Sequence, residues 1–440
     1  YFVDRNWSKI APVPGDGPNS EVRSLLVTAS GALLVGGTFT RWHQATLPGL
    51  AVLLRDGRLD ATFDYPRLLA YGQLPAAVHA ISSNSASGAI IGGSFASVVE
   101  EHGDCLMSVD GQLRIEARPR ITIGHSDIAI PPEVRGVAEL RDGSTVVAGR
   151  FTEIQGRARW SVARVRPSGD VDGNGAIAIS NGGLSGSATG DAVCPLQTGD
   201  FFVGGSFTHA DGVFTGPLAR FTAAGPVDES FRAETLDGWV GSVAPTTDGK
   251  VLVAGSFRVW NGRKAGLVRL DHRGRPDYAF HALYDRSVNC LALQADGRII
   301  AGGTAGLLMR LNSDGTPDVT FGLGALGTDG VVRALCLDGH GGLYVGGDFT
   351  EIFGQSAFRL ARVHTYSPSH RLRISRHEGS LLLHGSIGPG VSAWVEKRRF
   401  TGSPWQSLGE LVGGPDGTAV LHLEIPTKGD EGAVFRLRLQ

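Results

Sequence analysis

The stretch Val251-Leu252-Val253-Ala254-Gly255-Ser256-Phe257 decides how the chain is read, because six near-copies of it stand elsewhere in the sequence. Four precede it: Leu34-Val35-Gly36-Gly37-Thr38-Phe39, Ile90-Ile91-Gly92-Gly93-Ser94-Phe95, Val146-Val147-Ala148-Gly149-Arg150-Phe151 and Phe202-Val203-Gly204-Gly205-Ser206-Phe207. Two follow: Ile300-Ala301-Gly302-Gly303-Thr304-Ala305, which lacks the aromatic, and Tyr344-Val345-Gly346-Gly347-Asp348-Phe349. The first four aromatics, at 39, 95, 151 and 207, are spaced 56 residues apart, and the later steps shorten. Self-similarity at a period of tens of residues marks a repeat architecture.

Each unit reads alike. An apolar run such as Val288-Asn289-Cys290-Leu291-Ala292-Leu293 leads into Asp296-Gly297 and then into the Gly pair. Asp-Gly between two apolar β-type runs signals a hairpin, expected here as a primed turn with positive φ at both positions. A looser loop follows, then Leu267-Val268-Arg269-Leu270, another Gly turn, and a last piece such as Pro276-Asp277-Tyr278-Ala279-Phe280. That makes four short strands per unit with no helical periodicity. Seven such units fit an all-β, seven-bladed β-propeller over residues 1–366, whose radial closure hides sheet edges. The repeats fall near 22–63, 78–117, 134–176, 191–231, 240–280, 288–321 and 331–365. The last supplies only three strands, and Val3-Asp4-Arg5-Asn6-Trp7 matches the final strand of other units. Residues 1–7 are therefore expected to complete the seventh blade, so that deleting residues 1–10 lowers the melting temperature sharply. Gly weakens a strand unless something must approach closely. The Gly pair and the repeated Phe are read as packing, the Phe lying over the Gly strip of the next blade.

These motifs, V-x-x-L-x-L-x-x-D-G followed by V-G-G-x-F-T, A-R-L and L-D-x-x-F, resemble the delta-60 repeat, a bacterial β-propeller repeat. The resemblance covers about residues 1–365. It implies a large secreted or cell-surface protein of a kind mostly without an assigned activity. Two units depart from it: the second ends in Leu113-Arg114-Ile115-Glu116, and the sixth runs from Gly303-Thr304-Ala305-Gly306 straight into its third strand. After a break at Tyr366-Ser367-Pro368-Ser369, residues 370–440 alternate in five or six short apolar runs, as expected of a small β-sandwich. The Trp405 phrase and the closing Phe435-Arg436-Leu437-Arg438 resemble immunoglobulin- or fibronectin-like modules, more often spacers or anchors than catalysts.

Composition narrows the function. With 440 residues and a formal net charge of −2, the chain has no bulk attraction for nucleic acid or anionic membrane. Its 64 glycines suit turn-rich β-structure. No apolar run is long enough to span a membrane as a helix. The chain opens at Tyr1 without Met or a signal-like segment, as a mature or trimmed piece would. Cys105, Cys194, Cys290 and Cys336 lack metal-site spacing and are expected as buried free thiols.

Few motifs carry chemistry. Asp170, Asp172 and Asn174 open a D-x-D-x-[DN]-G calcium pattern, but Asn181 stands where the bidentate Glu should, and Asp172 occupies the repeat's L-D-x-x-F position. Nucleophile-elbow, zinc-protease, phosphate-loop and dinucleotide motifs are missing. Trp42 and Trp260 would suit sugar stacking, yet they occupy a repeat position that elsewhere holds Val98, Ile154, Ala210 and Ile352, which favours packing. The turns within hairpins are short, whereas connections such as 64–77, 96–105, 118–133 and 173–190 are long, so one face is plain and the other elaborated. Binding residues concentrate on variable loops over a rigid scaffold.

One ring of equivalent positions can be named. After the opening Val of each unit stand Arg23, His79, Arg135, Gly241, Asn289 and Arg333, with Ala192 the equivalent in a shifted fourth unit. They are expected around the channel mouth, where three arginines and a histidine suit a carboxylate or sulfate. The opposing reading is a solvated channel in which Glu21 and Glu133 neutralise the arginines. Three functional classes stay open. The first is a non-enzymatic, monomeric binding protein for a polysaccharide or surface protein, without a cofactor. The second is a glycan hydrolase or lyase using carboxylates among Glu21, Glu100, Glu101, Asp104, Asp127 and Glu133. The third is a structural spacer.

Overall fold

A computed structural model describes residues 17–66, 68–69, 75–97, 105–116, 122–124, 131–173, 177–182, 188–259, 262–281, 283–318, 321 and 327–365, and six strands between 373 and 439. Every regular element among them is a β-strand. The first strands of the repeats are Val22–Val27, Ala77–Ser83, Glu133–Glu139, Thr189–Pro195, Asp237–Pro245, Val288–Leu293 and Val331–Leu337. Each pairs antiparallel with the Gly-pair strand, which pairs with the strand of the A-R-L motif, giving seven sheets. Each first strand also contacts the first strand of the next sheet, and that of the seventh contacts that of the first. The first strands therefore form the inner wall of a closed ring.

The core closes with it. Seven buried clusters each join two neighbouring sheets. The cluster across the seam puts Val22, Leu25 and Phe39 of the first sheet against Ala334, Tyr344 and Leu360 of the seventh. The expected clasp by residues 1–7 lies outside the described residues. Contact between the first and last repeats instead begins at Pro18, whose carbonyl accepts from Arg359 Nη1 at 3.3 Å.

Three expectations are corrected by the backbone. The hairpin turns are not primed two-residue turns. In Leu140–Ser144, Leu140 N donates to Ser144 O, Gly143 N donates to Leu140 O, and Gly143 alone takes positive φ, +78°. Asp142 keeps negative φ because its carboxylate accepts from Ser144 N at 3.0 Å, as in a type I turn closed by a Gly bulge.

The fourth strand is also nearly absent. Outside the fifth sheet, the sheets are three-stranded, and the last piece makes a single bridge such as Leu53↔Leu59, Phe221↔Val227 or Leu311↔Pro317. It stops because the following Asp bends the chain: Asp228 Oδ1 accepts from Ser230 N at 2.9 Å, and Phe231 N donates to Asp228 O. The turn drives Phe231, Phe280 or Phe321 into the core. The second unit follows the same plan, with Val109↔Ile115 as its bridge and Glu116 N bound to Ser108 O. In the fifth sheet the fourth strand is Leu283–Tyr284, from the following linker.

Finally, the Gly strip does not receive the Phe of a neighbouring sheet; Phe95 lies instead over Gly93 of its own sheet, where a Cβ would meet the ring at 2.7 Å. A Cβ at Gly36 would lie 2.5 Å from Cγ1 of Val78, the opening valine of the next sheet, and Gly92, Gly302 and Gly346 face Val134, Val332 and Val22 in the same way. The second Gly of each pair makes room for a backbone carbonyl: a Cβ at Gly37 would lie 2.2 Å from Glu21 O. The aromatic packs toward the preceding sheet, Phe95 in the cluster shared by the first and second sheets and Phe151 in that of the second and third.

The C-terminal strands, Arg373–His377, Ser380–Ser386, Ser392–Arg398, Gln406–Val412, Thr418–Leu423 and Val434–Leu439, form two three-stranded antiparallel sheets. No helix among the described residues is long and apolar enough to cross a membrane.

Candidate functional site: the channel mouth and the hairpin face

A β-bulge interrupts the first strand of every sheet, and the bulged residues are Arg23, His79, Arg135, Asp191, Gly241, Asn289 and Arg333. The ring thus exists in all seven sheets. The fourth unit is not shifted, however: Asp191, not Ala192, holds its place, disguised in sequence because Gly190 replaces the opening valine. A bulge leaves its extra residue unpaired and re-aims its side chain.

These side chains meet one another. Glu21 pairs with both Arg23 and Arg333, tying the first sheet to the seventh. Arg23 Nη1 lies 2.9 Å from His79 Nδ1, and His79 Nε2 lies 3.2 Å from Ser94 Oγ. Arg135 donates to Glu133 at 2.7 Å and to Asp191 at 3.1 Å, while Arg150 reaches the other Glu133 oxygen at 2.6 Å. Asn289 donates to Val332 O at 2.9 Å. At the fifth sheet the bulge is Gly241, and the Trp239 indole fills the space a side chain would take: a Cβ there would meet Trp239 Cη2 at 2.3 Å. Trp239 Nε1 donates to Asp191 Oδ2 at 3.0 Å.

The electrostatics follow from this crowding. Burial, then Arg23, depress His79 to about 3, so its ring is neutral at physiological pH. Burial pushes Glu133 up, but Arg135 and Arg150 outweigh it and hold the carboxyl below its ordinary value. Burial opposes the charge of Arg135 as well, and Asp191 and Glu133 more than offset it. The ring arginines are therefore matched by Glu21, Glu133 and Asp191, the arrangement of a lined channel. Of the other carboxylates considered for acid–base work, Glu100, Glu101, Asp104 and Asp127 lie outside the described residues.

The ring opens on the face that carries the long connections. After the Gly-pair strand, four repeats add a small hairpin there: Arg41–Trp42 with Ala45–Thr46, Glu153–Ile154 with Arg157–Ala158, His209–Ala210 with Val213–Phe214, and Glu351–Ile352 with Gln355–Ser356. The incoming linker pairs with the hairpin of its own repeat, Ile123↔Ile154 and Ile179↔Ala210, or by single bridges Pro18↔Trp42 and Thr328↔Ile352. Trp42 is buried, edge-on to Phe39 with centroids 5.5 Å apart, so it packs. Trp260 lies outside the described residues. The sixth repeat replaces the hairpin with a tight turn at Ala305 and Gly306, φ +53° and +73°.

Between the fourth and fifth sheets this layer leaves a cleft of about 590 Å³, lined among others by Asn181, Thr208, Phe214, Glu234, Asp237 and Trp239. Sequence reasoning missed it. Phe214 sits in a two-residue strand and Trp239 two positions before a bulge, so only the assembled layer brings them together.

The remaining candidates carry little chemistry. Asp172 pairs with Arg166 at 2.6 Å, Asp170 accepts from Ser168 at 2.9 Å, and Asn174 lies outside the described residues. None of the four cysteines is in a disulfide. Cys105 and Cys290 are buried, whereas Cys194 and Cys336 are half-buried rather than buried as expected. Burial pushes the Cys194 thiol up to about 12 and those of Cys290 and Cys336 upward as well.

Comparison with known proteins bears on the fold. Residues 140–174, 202–231, 246–280, 294–321 and 341–365 match the family described as a domain of unknown function (DUF5122) beta-propeller, one segment on each of the third to seventh sheets. Among curated proteins none matches the sequence significantly. Similar solved structures include the extracellular domain of the one-component system BT4673 from B. thetaiotaomicron, with 15% identity, a TM-score of 0.48, and coverage of 84% of this chain and 43% of that one. The chain thus spans less than half the length of that protein. YCF48 bound to D1 peptide shares 13% identity over 80% of this chain and 95% of that one, with a TM-score of 0.45. PorZ, a surface component of the type-IX secretion system of Porphyromonas gingivalis, shares 12% identity over 96% of this chain and 65% of that one, with a TM-score of 0.41. The five matched segments and the closed ring of antiparallel sheets make this chain a β-propeller.

Proposed function

We propose that the protein is a non-enzymatic binding or scaffold protein, secreted or held at a bacterial cell envelope, that works as a monomer. In this reading the seven sheets are the blades of a seven-bladed propeller of the delta-60 type. The C-terminal strands form a small immunoglobulin- or fibronectin-like sandwich that serves as spacer or anchor. The propeller presents its hairpin face to a polysaccharide or protein ligand. The observation that carries this reading is the asymmetry of the two faces. One carries tight turns such as Leu140–Ser144, and the other carries the hairpin layer, the channel mouth and the cleft beside Trp239. A rigid ring with a varied loop face is the arrangement on which binding sites are built.

The geometry at the mouth argues against acid–base catalysis there. Glu21 and Glu133 are each held by two arginines, and Glu133 is kept below its ordinary value, which is the opposite of what a general acid needs at neutral pH. An array of acidic, neutral and amino-sugar glycans, read alongside release of reducing ends or unsaturated products, tests the reading. Binding without product formation is expected, and product formation would replace the binding reading with the enzyme reading. An R23A/R135A variant tests the ring itself: selective loss of acidic glycans would make it an anion site, and unchanged binding leaves it as channel lining.

A further inference from the structure

We propose that the cleft between the fourth and fifth sheets is a saccharide site selective for non-acidic sugars, and above all for amino sugars. This rests on the binding reading above and assigns it a place and a ligand class. Phe214 is 46% exposed, whereas Phe207, the phenylalanine of the Gly-pair motif in the same repeat, is buried. It is not loose. Its strand pairs with His209–Ala210, its ring stands edge-on to His209 with centroids 5.4 Å apart, and its carbonyl accepts from Arg232 Nη1 at 3.3 Å. A flat apolar ring held in place at the edge of a cleft suits the C–H face of a sugar. Trp239 lines the same cleft, its indole fixed by Asp191 and Gly241.

Around these rings the polar groups are hydroxyls, an amide and carboxylates: Ser206, Thr208, Ser256, Asn181, Glu234 and Asp237. Among the described residues, no Lys, Arg or His lines the cleft. Glu234 shares its charge with Arg232 at 3.2 Å, whereas Asp237 is exposed on the first strand of the fifth sheet, two residues before Trp239. The two carboxylates in the lining disfavour uronates and sulfated sugars and favour an ammonium group, neither Arg232, the partner of Glu234, nor Arg258, the cross-strand neighbour of Asp237, being among the described lining residues. A volume of about 590 Å³ is ample for a short oligosaccharide. The same charge would suit a basic peptide, but the hydroxyl- and amide-rich lining with an edge aromatic fits a polyol better.

The test is calorimetric titration of the full chain with glucosamine trimer, N-acetylglucosamine trimer, galacturonate trimer and a lysine-rich peptide. Glucosamine trimer is expected to bind most tightly and galacturonate not to bind. F214A is expected to weaken glucosamine trimer at least tenfold, and D237N to bring it down to the level of the N-acetyl trimer. Both residues are exposed, and unchanged melting temperatures would show that the variants fold. Galacturonate binding as well as glucosamine would overturn the proposal. So would binding of the peptide more tightly than the glucosamine trimer with loss of that binding in D237N, which would make the cleft a basic-peptide site. Failure of all four ligands would overturn the cleft as a saccharide site, while glycan-array binding insensitive to F214A would leave the binding function standing elsewhere on the face.

Discussion

Gly190 shows how tightly two sheets constrain a single position. In the other interfaces with a Gly strip, a valine of one sheet presses on a glycine of the one before, as Val134 does on Gly92. Between the third and fourth sheets the roles are exchanged: the strip residue is Ala148 and the facing residue is Gly190, where a Cβ would lie 2.7 Å from Ala148 Cβ. G190V is therefore expected to destabilise by ~1–3 kcal/mol through overpacking. A148G in the same chain should recover most of that loss, because it recreates the pairing of the other interfaces. Denaturant unfolding of the two single variants and the double variant gives the coupling, and strict additivity would refute the exchange. His79 gives a second prediction. Its pKa is depressed in the folded state to about 3, so the unfolded chain binds the proton first as pH falls. The stability that rests on its neutrality is intact above the unfolded pKa of about 6.5 and is lost as pH falls from there toward the folded value, by at most ~1.4 kcal/mol per pH unit. Wild type should lose more stability than H79Q between pH 7 and pH 4.5. Parallel curves would show that His79 is not held neutral.

At the level of the repeat, the recurring element is a staple that links motifs far apart in sequence. The Arg of A-R-L bonds the Asp of L-D-x-x-F and covers its Phe: Arg269 donates to Asp277 at 2.8 Å and its guanidinium stands 4.9 Å from the Phe280 ring centre. Arg220 with Asp228 and Phe231, and Arg310 with Asp318 and Phe321, repeat it. The cost of breaking it should follow burial. The side chains of Arg310 and Asp318 are 3% and 7% exposed, so D318A strands a buried guanidinium and should cost ~3–5 kcal/mol. Those of Arg220 and Asp228 are 19% and 17% exposed, and D228A should cost only ~1 kcal/mol, as in a partly solvated pair. Equal costs by chemical denaturation would mean that the Asp turn, not the ion pair, carries the staple. The repeat positions themselves were legible in sequence, since the Gly pair, the Asp-Gly turns and six of the seven ring positions follow the period, the fourth being hidden by Gly190 in place of valine. The staple's Arg and Asp were visible as motif letters but not as partners, because strand pairing brings them together. The cleft was illegible for a stronger reason: Asn181, Phe214 and Trp239 occupy unrelated repeat positions, and only linkers pairing with hairpins make them neighbours.

Closure is the property of the whole ring. In an open array the terminal repeats have one neighbour each, and substitutions there cost less than in the middle. Here Val22 of the first sheet sits on Gly346 of the seventh as Val134 sits on Gly92: a Cβ at either glycine would meet the valine Cγ1 at 2.5 Å. Both valines are fully buried, and Glu21 joins Arg23 to Arg333 across the same seam. Removing two methyl groups from such a contact costs ~2 kcal/mol in transfer and cavity terms. V22A and V134A should therefore destabilise the protein by similar amounts, each ~2 kcal/mol. Hydrogen exchange supplies the check on mechanism. The amide of Leu26, which faces Leu34 in a hydrogen-bonded pair of the first sheet, should exchange only with global unfolding, as should those of Ala138 and Cys194 at the equivalent positions, because a closed ring has no end from which to fray. A V22A cost well below that of V134A, with fast exchange at Leu26, would mean that the seam between the first and seventh sheets opens independently. The molecule would then behave as a linear stack of sheets that happens to curve.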